Sequence, residues 1–337
     1  KSKYTASIIN GTAALNISLK LIGIKDNDEV IVPTVTFIAP VNAVLYHGAK
    51  PVFIDCDEYL NIDMNKTINF LKEETIYRKG YSFNKKTGNR ILAIIVVHVF
   101  GNLCNLSKIY KICKNKNIRI IEDASEALGS KFSTGRFKDR YAGTVGDFGC
   151  LSFNINKIVT SGGGGAIITN KKKDYLKIKK LINQAKLNSF YFIHDELGYN
   201  LGLSNIHASI GYTQLKKFKY IIKEKQKIYF LYLNRLKLNT NFTILKSPKY
   251  CVSNNWLVIL KIINKKIDRK SLFKKFKDQN IEVRPLWQLC HKQEYLKKYK
   301  TYKIKNANKI LNQIICLPSS YFLKKNEIIK VVKCLEK

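Results

Sequence analysis

Short β-branched runs alternate with amphipathic helical stretches across the first two thirds of the chain, and this alternation predicts an α/β fold built on a mostly parallel sheet covered on both faces. A length of 337 residues exceeds the size at which one core usually stops growing, so a second, smaller domain is expected. An apolar-periodic stretch from Asn205 to about Leu236 reads as a helix leaving the large domain, which divides the chain into a large unit over 1–215 and a small α+β unit over 216–337.

Each element follows from its own residues. Strands are expected at 29–32, 51–54, 91–98, 118–121, 149–153 and 166–169, where Val, Ile and Phe crowd into runs too short for a buried helix. Between them, 13–21, 38–46, 64–74, 106–116 and 171–185 repeat apolar residues at helical spacing. In the small unit the same reading places strands near 255–262 and 282–284, and helices at 271–279 and 306–315. Residues 78–89 read as a polar insertion.

Composition excludes some classes. No apolar run reaches the roughly 18 residues that a membrane-spanning helix needs. The formal net charge of +36 raises a nucleic-acid partner. Against it, the charge is mostly Lys and is spread along the whole chain, whereas base and phosphate readout favours clustered Arg. A solvated lysine surface is the simpler reading, and it leaves room for an acidic ligand. The eight cysteines form no CxxC pair and no cluster at zinc spacing, so they read as reduced, buried thiols of a cytoplasmic protein without a metal. The first residues carry no signal-like apolar segment and no starting Met.

Three constellations carry chemistry. Asn10-Gly11-Thr12-Ala13-Ala14-Leu15 is a small-residue turn opening into a helix, where amides at the helix start bind a phosphate or merely receive a cap. Ile120-Ile121-Glu122-Asp123-Ala124-Ser125-Glu126 ends an apolar strand in carboxylates. Ligands of open α/β sheets sit at that edge, so Asp123 either meets a cationic ring nitrogen or caps the next helix. Lys157 stands between a short apolar strand and the glycines at 162–165, which allow close backbone approach to a ligand or simply form a flexible loop. A desolvated lysine there would be nucleophilic toward an aldehyde.

Together and in this order, these segments resemble the DegT/DnrJ/StrS-type sugar aminotransferases of the fold-type-I, aspartate aminotransferase-like group of pyridoxal-phosphate enzymes. The resemblance also takes in Pro33-Thr34-Val35-Thr36-Phe37-Ile38-Ala39, Ala49-Lys50-Pro51-Val52-Phe53, His98-Val99-Phe100-Gly101 and Gly198-Tyr199-Asn200, and it runs from about residue 8 to Ser320. It implies pyridoxal 5'-phosphate as cofactor. Lys157 would hold that cofactor covalently and move the proton, and Asp123 would keep the ring nitrogen protonated. Phe37 would stack on the ring, and Glu126 stands where the family often has Gln or His near the ring hydroxyl. Gly11, Thr12, Ala13 and Ser152 would take the phosphate, with Asn200 reaching it from a neighbouring subunit, which implies a homodimer with shared sites.

Asn154-Ile155-Asn156-Lys157, the glycine run, His194-Asp195-Glu196-Leu197-Gly198-Tyr199-Asn200 and Val283-Arg284-Pro285-Leu286-Trp287 look closest to the branch acting in bacillosamine- and legionaminic-acid-type pathways. The implied reaction turns a UDP-linked 4-keto-6-deoxy N-acetylhexosamine into the 4-amino sugar, with glutamate as amino donor, in polysaccharide or lipopolysaccharide synthesis. Arg284, Trp287 and His291 are the substrate-side candidates. Three departures from the family pattern stand out. The chain starts almost at the phosphate turn, where the family usually carries some tens of residues first. Leu201-Gly202 replaces the usual Tyr-Arg, and the insertion at 78–89 has no counterpart role. The competing readings are a sugar dehydratase, in which histidine replaces the anchoring lysine, a non-catalytic homologue, and a basic nucleic-acid-binding protein.

Overall fold

The structure is a computed structural model and describes residues 2–188 and 190–336. In chain order its elements are β1 (Tyr4–Ile8), α1 (Gly11–Leu21), β2 (Glu29–Pro33), α2 (Ala39–Leu45), β3 (Lys50–Ile54), α3 (Met64–Glu73), β4 (Thr75–Arg78), β5 (Tyr81–Asn84), β6 (Arg90–Val97), α4 (Leu106–Asn115) and β7 (Arg119–Asp123). There follow β8 (Lys131–Phe132), β9 (Phe148–Ser152), β10 (Gly165–Thr169), α5 (Lys172–Leu181), β11 (Lys186–Asn188), β12 (Ile193–His194), α6 (Asn205–Lys216) and α7 (Phe218–Arg235). The last part holds β13 (Phe242–Ile244), β14 (Cys251–Val252), β15 (Val258–Ile262), α8 (Arg269–Asp278), β16 (Arg284–Pro285), β17 (Thr301–Tyr302), α9 (Asn306–Ile310), β18 (Ile314–Leu317) and α10 (Lys325–Glu336).

The main sheet runs β1-β10-β9-β7-β6-β2-β3-β17, with the β4–β5 hairpin attached to β6. From β17 to β9 every pairing is parallel, and β10 and β1 close that end antiparallel. Alternate residues of each central strand feed two different cores. Val30, Val32, Ile95 and Val97 pack with Leu15 and Ile17 of α1 and Val41 of α2, whereas Ile31, Ile94 and Val96 pack with Phe70 of α3 and Ile109 of α4. Burial on both faces explains why these strands read as continuous apolar runs. A third core fills the small unit, where Ile228 and Tyr232 of α7, Phe276 of α8 and Val331 of α10 cover the sheet β13-β15-β18-β16.

Four features depart from the sequence reading. The helix expected at 306–315 stops at Ile310, and Ile314–Leu317 forms β18, sandwiched between β15 and β16. Pairing on both sides overrides the helical spacing of that β-branched run. The expected helix from Asn205 breaks at Lys217 into α6, which buries none of its residues, and α7, which buries Ile221, Lys225, Ile228 and Tyr232. The polar insertion supplies β5 and the turn of the β4–β5 hairpin, and Asn84 Nδ2 and Thr87 Oγ1 donate to the buried Glu29 carboxylate at 2.7 and 2.6 Å. Finally, β17 returns from the C-terminal part to pair with β3 in the large sheet.

All eight cysteines are buried and free. No helix among the described residues is long and apolar enough to cross a membrane.

Candidate active site

A cavity of about 210 Å³ opens at the carboxyl ends of the parallel strands, where the start of α1, the end of β7 and the segment after β9 meet. Asn10 caps α1, its Oδ1 accepting the Ala13 N–H at 2.7 Å. Ala13 is thereby committed to the cap and does not line the cavity, while Gly11 and Thr12 do. A Cβ at Gly11 would lie 3.0 Å from both Ser125 Oγ and Ser152 Cβ, so glycine is what lets the helix start approach the other two segments. First-turn amides lack intrahelical acceptors, and with the Ser125 and Ser152 hydroxyls alongside they make an anion cradle.

Strand alternation sends the two acidic residues of β7 opposite ways. Glu122 is fully buried, accepting N–H groups from Gly143, Val145 and Gly146 at 3.0, 2.7 and 2.6 Å and a bond from His98 Nε2 at 2.8 Å. His98 Nδ1 accepts the Cys104 N–H at 3.1 Å, which puts the imidazole proton on Nε2. Burial alone would raise the Glu122 carboxyl, but His98 and the amides outweigh it and hold it below its ordinary value. Asp123 points into the cavity instead and accepts only the Ser125 N–H, at 3.0 Å, among the described residues.

Lys157 Nζ lies 3.7 Å from Glu126 Oε1 and 4.2 Å from the centre of the Trp256 ring. Glu126 Oε2 accepts the Phe100 N–H at 2.8 Å. Burial, joined by the neighbouring Asp123 charge, pushes the Glu126 carboxyl from 4.5 up to about 7 against the pull of Lys157. Phe100 adopts a left-handed backbone (φ 55°) that stacks its ring on Trp287 at 4.8 Å and Trp256 at 6.1 Å. Thr36 lines the same cavity, and its Oγ1 is buried without a hydrogen-bond partner among the described residues.

Of the residues singled out from sequence, Gly11, Thr12, Phe37, Asp123, Glu126, Ser152, Lys157 and Trp287 converge on this cavity. Four do not line it. Ala13 is taken by the cap, and Asn200 lies exposed, bridged to Asn183. Arg284 is exposed and paired with Glu282. His291 Nδ1 bonds Thr34 Oγ1 at 2.5 Å, so it ties the segment after Trp287 to the end of β2. Sequence reasoning missed Trp256 and Thr36. Trp256 is one of only two tryptophans and follows a Ser-Asn-Asn turn, the one local signal that could have marked it.

Comparison with known proteins agrees with this geometry. A family model described as the DegT/DnrJ/EryC1/StrS aminotransferase family matches residues 1–336. A GDP-perosamine synthase of Escherichia coli O157:H7 is 33% identical over 334 residues, covering 99% of this chain and 85% of the relative. A UDP-4-amino-4,6-dideoxy-N-acetyl-beta-L-altrosamine transaminase of Campylobacter jejuni is 32% identical over 257 residues, covering 76% of this chain and 63% of the relative. The crystal structure of a DegT DnrJ EryC1 StrS aminotransferase from Brucella abortus superposes with a TM-score of 0.89 at 22% identity, covering 99% of this chain and 86% of that one.

Proposed function

We propose that this chain, which belongs to the DegT/DnrJ/EryC1/StrS aminotransferase family, moves an amino group from glutamate to the keto carbon of a nucleotide-linked 4-keto-6-deoxy sugar. It is a pyridoxal-phosphate-dependent enzyme. The observation that carries the reading is the convergence of a lysine, a buried carboxylate and a helix start on one cavity. That cavity fits the cofactor: it offers an amine, an acid, an anion cradle and, at Thr36, a buried hydroxyl still lacking a partner.

When bound, pyridoxal phosphate supplies an aldehyde that exchanges amino groups and a ring that accepts the electron pair released at the substrate carbon. The chain's own residues do the rest. Gly11, Thr12 and Ser152 would hold the phosphate at the positive end of α1. Asp123 keeps a proton on the ring nitrogen, because a buried carboxylate favours a cationic neighbour. Phe37, at the cavity mouth, would stack on the ring. Lys157 Nζ would anchor the cofactor and would be the amine placed to remove and return the proton at the reacting carbon. Trp287 lines the cavity with the buried Phe100 stacked behind it at 4.8 Å. Lysine at this position, where dehydrating members carry histidine, favours amination over dehydration.

The active unit is a homodimer with Asn200 reaching the partner's phosphate cradle. Support comes from α6, which exposes Ile206, Ile210, Tyr212 and Leu215 and buries nothing, and from Phe190, Tyr191 and Phe192 exposed between β11 and β12. An apolar surface of that extent calls for a partner.

The sugar is read as a UDP-linked N-acetylhexosamine. Incubation with glutamate and either UDP- or GDP-linked 4-keto-6-deoxy sugars should give a 4-amino product, fastest with the UDP-linked N-acetyl sugar. Borohydride reduction of the loaded protein, followed by peptide mapping, should place the label on Lys157. Label on another lysine, or no amino sugar from any of these substrates, would refute the reading.

A further inference from the structure

Lys157 has an aromatic neighbour held with unusual thoroughness. Trp256 is buried, and its indole face lies 4.2 Å from Lys157 Nζ. Its Nε1–H donates to the Asn156 carbonyl at 2.7 Å, and its backbone N–H donates to Asn254 Oδ1 at 2.9 Å. Asn254 Nδ2 in turn donates to the carbonyls of Glu126 and Leu128 at 2.9 and 3.0 Å. The segment before β15 is therefore fastened both to the lysine's own loop and to the backbone that carries Glu126.

The third fastening is Lys225 of α7. Its Nζ donates to the carbonyls of Trp256 and Ser319, each at 2.5 Å, and no carboxylate pairs with it among the described residues. Burial pushes its amine from 10.5 down to about 7. A buried amine without an acid partner costs folding free energy, so its contribution lies in joining two chain segments. One of them presents the Trp256 ring.

We propose that Trp256 is a positioning residue for Lys157: its indole face holds the ε-ammonium inside the cavity in the cofactor-free chain and, during turnover, once the released amine has taken up the proton, and Lys225 fixes the segment that presents that face. Aromatic faces attract cations, tryptophan most strongly, and more so where water is excluded. A lysine has a flexible stem, and without a hold it would leave its position each time it lets go of the cofactor. The other charged groups lining the cavity among the described residues are Glu126 and Asp123, which also favour the ammonium and stay in place when Trp256 is altered. The inference rests on Lys157 being the cofactor lysine, which the reduction and mapping experiment checks separately.

The test uses the cofactor-free full chain. Brief acetylation with acetic anhydride across a pH series, with the Lys157 peptide quantified by mass spectrometry, reads how much of that amine is neutral. In Trp256→Leu the Lys157 rate at pH 8 should rise by about twofold to thirtyfold, the range expected for losing one cation–π contact. The excess should shrink toward nothing at pH values where the amine is neutral in both proteins, whereas mere opening of the cavity would raise the rate equally at every pH. Lys225→Met should move the profile the same way, and Lys225→Arg should retain the original. Should Trp256→Leu not fold, tetrafluorotryptophan incorporated into a Trp287→Phe background keeps the ring's shape while removing its negative face, and should reproduce the shift. An unchanged Lys157 profile in a folded variant, or a rise independent of pH, would overturn the proposal.

Discussion

Glu126 is a carboxyl that burial keeps partly protonated at neutral pH, beside a lysine and a second carboxylate. Its folded value of about 7 exceeds its ordinary 4.5, so between those values the folded chain retains a proton that the unfolded chain has released. Stability therefore falls as pH rises through that window. Glu126→Gln keeps an acceptor for the Phe100 N–H but cannot ionise. Denaturant melts of the cofactor-free variant should improve relative to the unaltered chain by roughly 1–3 kcal/mol between pH 5 and pH 8. A difference that stays constant with pH would contradict the assigned environment.

Asp55, at the end of β3, shows how an element from the C-terminal part is held to the large sheet. Its fully buried carboxylate accepts the N–H groups of Lys305, Asn306 and Ala307, each at 2.8 Å, and pairs with Lys66. It thus caps α9 across more than two hundred residues of chain, directly after β17 has joined β3. Burial opposes its ionisation, yet Lys66 and the three amides prevail and hold the carboxyl below its ordinary value. A depressed carboxyl contributes stability that is complete above the unfolded value, near 4, and is lost as pH falls through the folded one. Asp55→Asn should cost roughly 2–4 kcal/mol at pH 7, by the usual scale of a broken buried ion pair with its hydrogen bonds. The same variant should lose less stability than the unaltered chain on acidification from pH 5 to pH 2. Equal acid sensitivity in urea melts would rule out the latch.

At the scale of the molecule, the decisive question is whether one chain suffices. Asn200 lies outside the cavity of its own chain, and the exposed apolar face of α6 accompanies it. A Lys157→Ala subunit retains Asn200, and an Asn200→Ala subunit retains Lys157. If Asn200 acts across the dimer, a mixed dimer holds one doubly damaged site and one intact site, so refolding the two variants together should restore up to about a quarter of the unaltered turnover, since half the dimers are mixed and each has one good site of two. Recovery no greater than the two separate variants, with mixed dimers confirmed and Asn200→Ala alone strongly impaired, would place Asn200 in its own site.

The parallel strands and their helices were legible because burial on both faces leaves a local trace: Val30-Ile31-Val32 and Ile91 to Val97 are apolar whatever their neighbours are. Lys157, Asp123 and Gly11 could be singled out because each sits in a short segment with local turn chemistry, but that chemistry alone left a cap or a loop as readings, and the family resemblance assigned their roles; the structure brings all three to one cavity. Residues whose role depends on distant pairing were not legible. Ile314–Leu317 carries helical spacing and becomes a strand only because β15 and β16 flank it. Trp256 reaches Lys157, and Lys225 reaches Trp256, across about one hundred and about thirty residues of chain that only the packing of α7 and β15 brings together. Local sequence dictates period and turn, whereas the convergence of side chains on one cavity is set by sheet order; Arg284 and His291 lie outside that cavity.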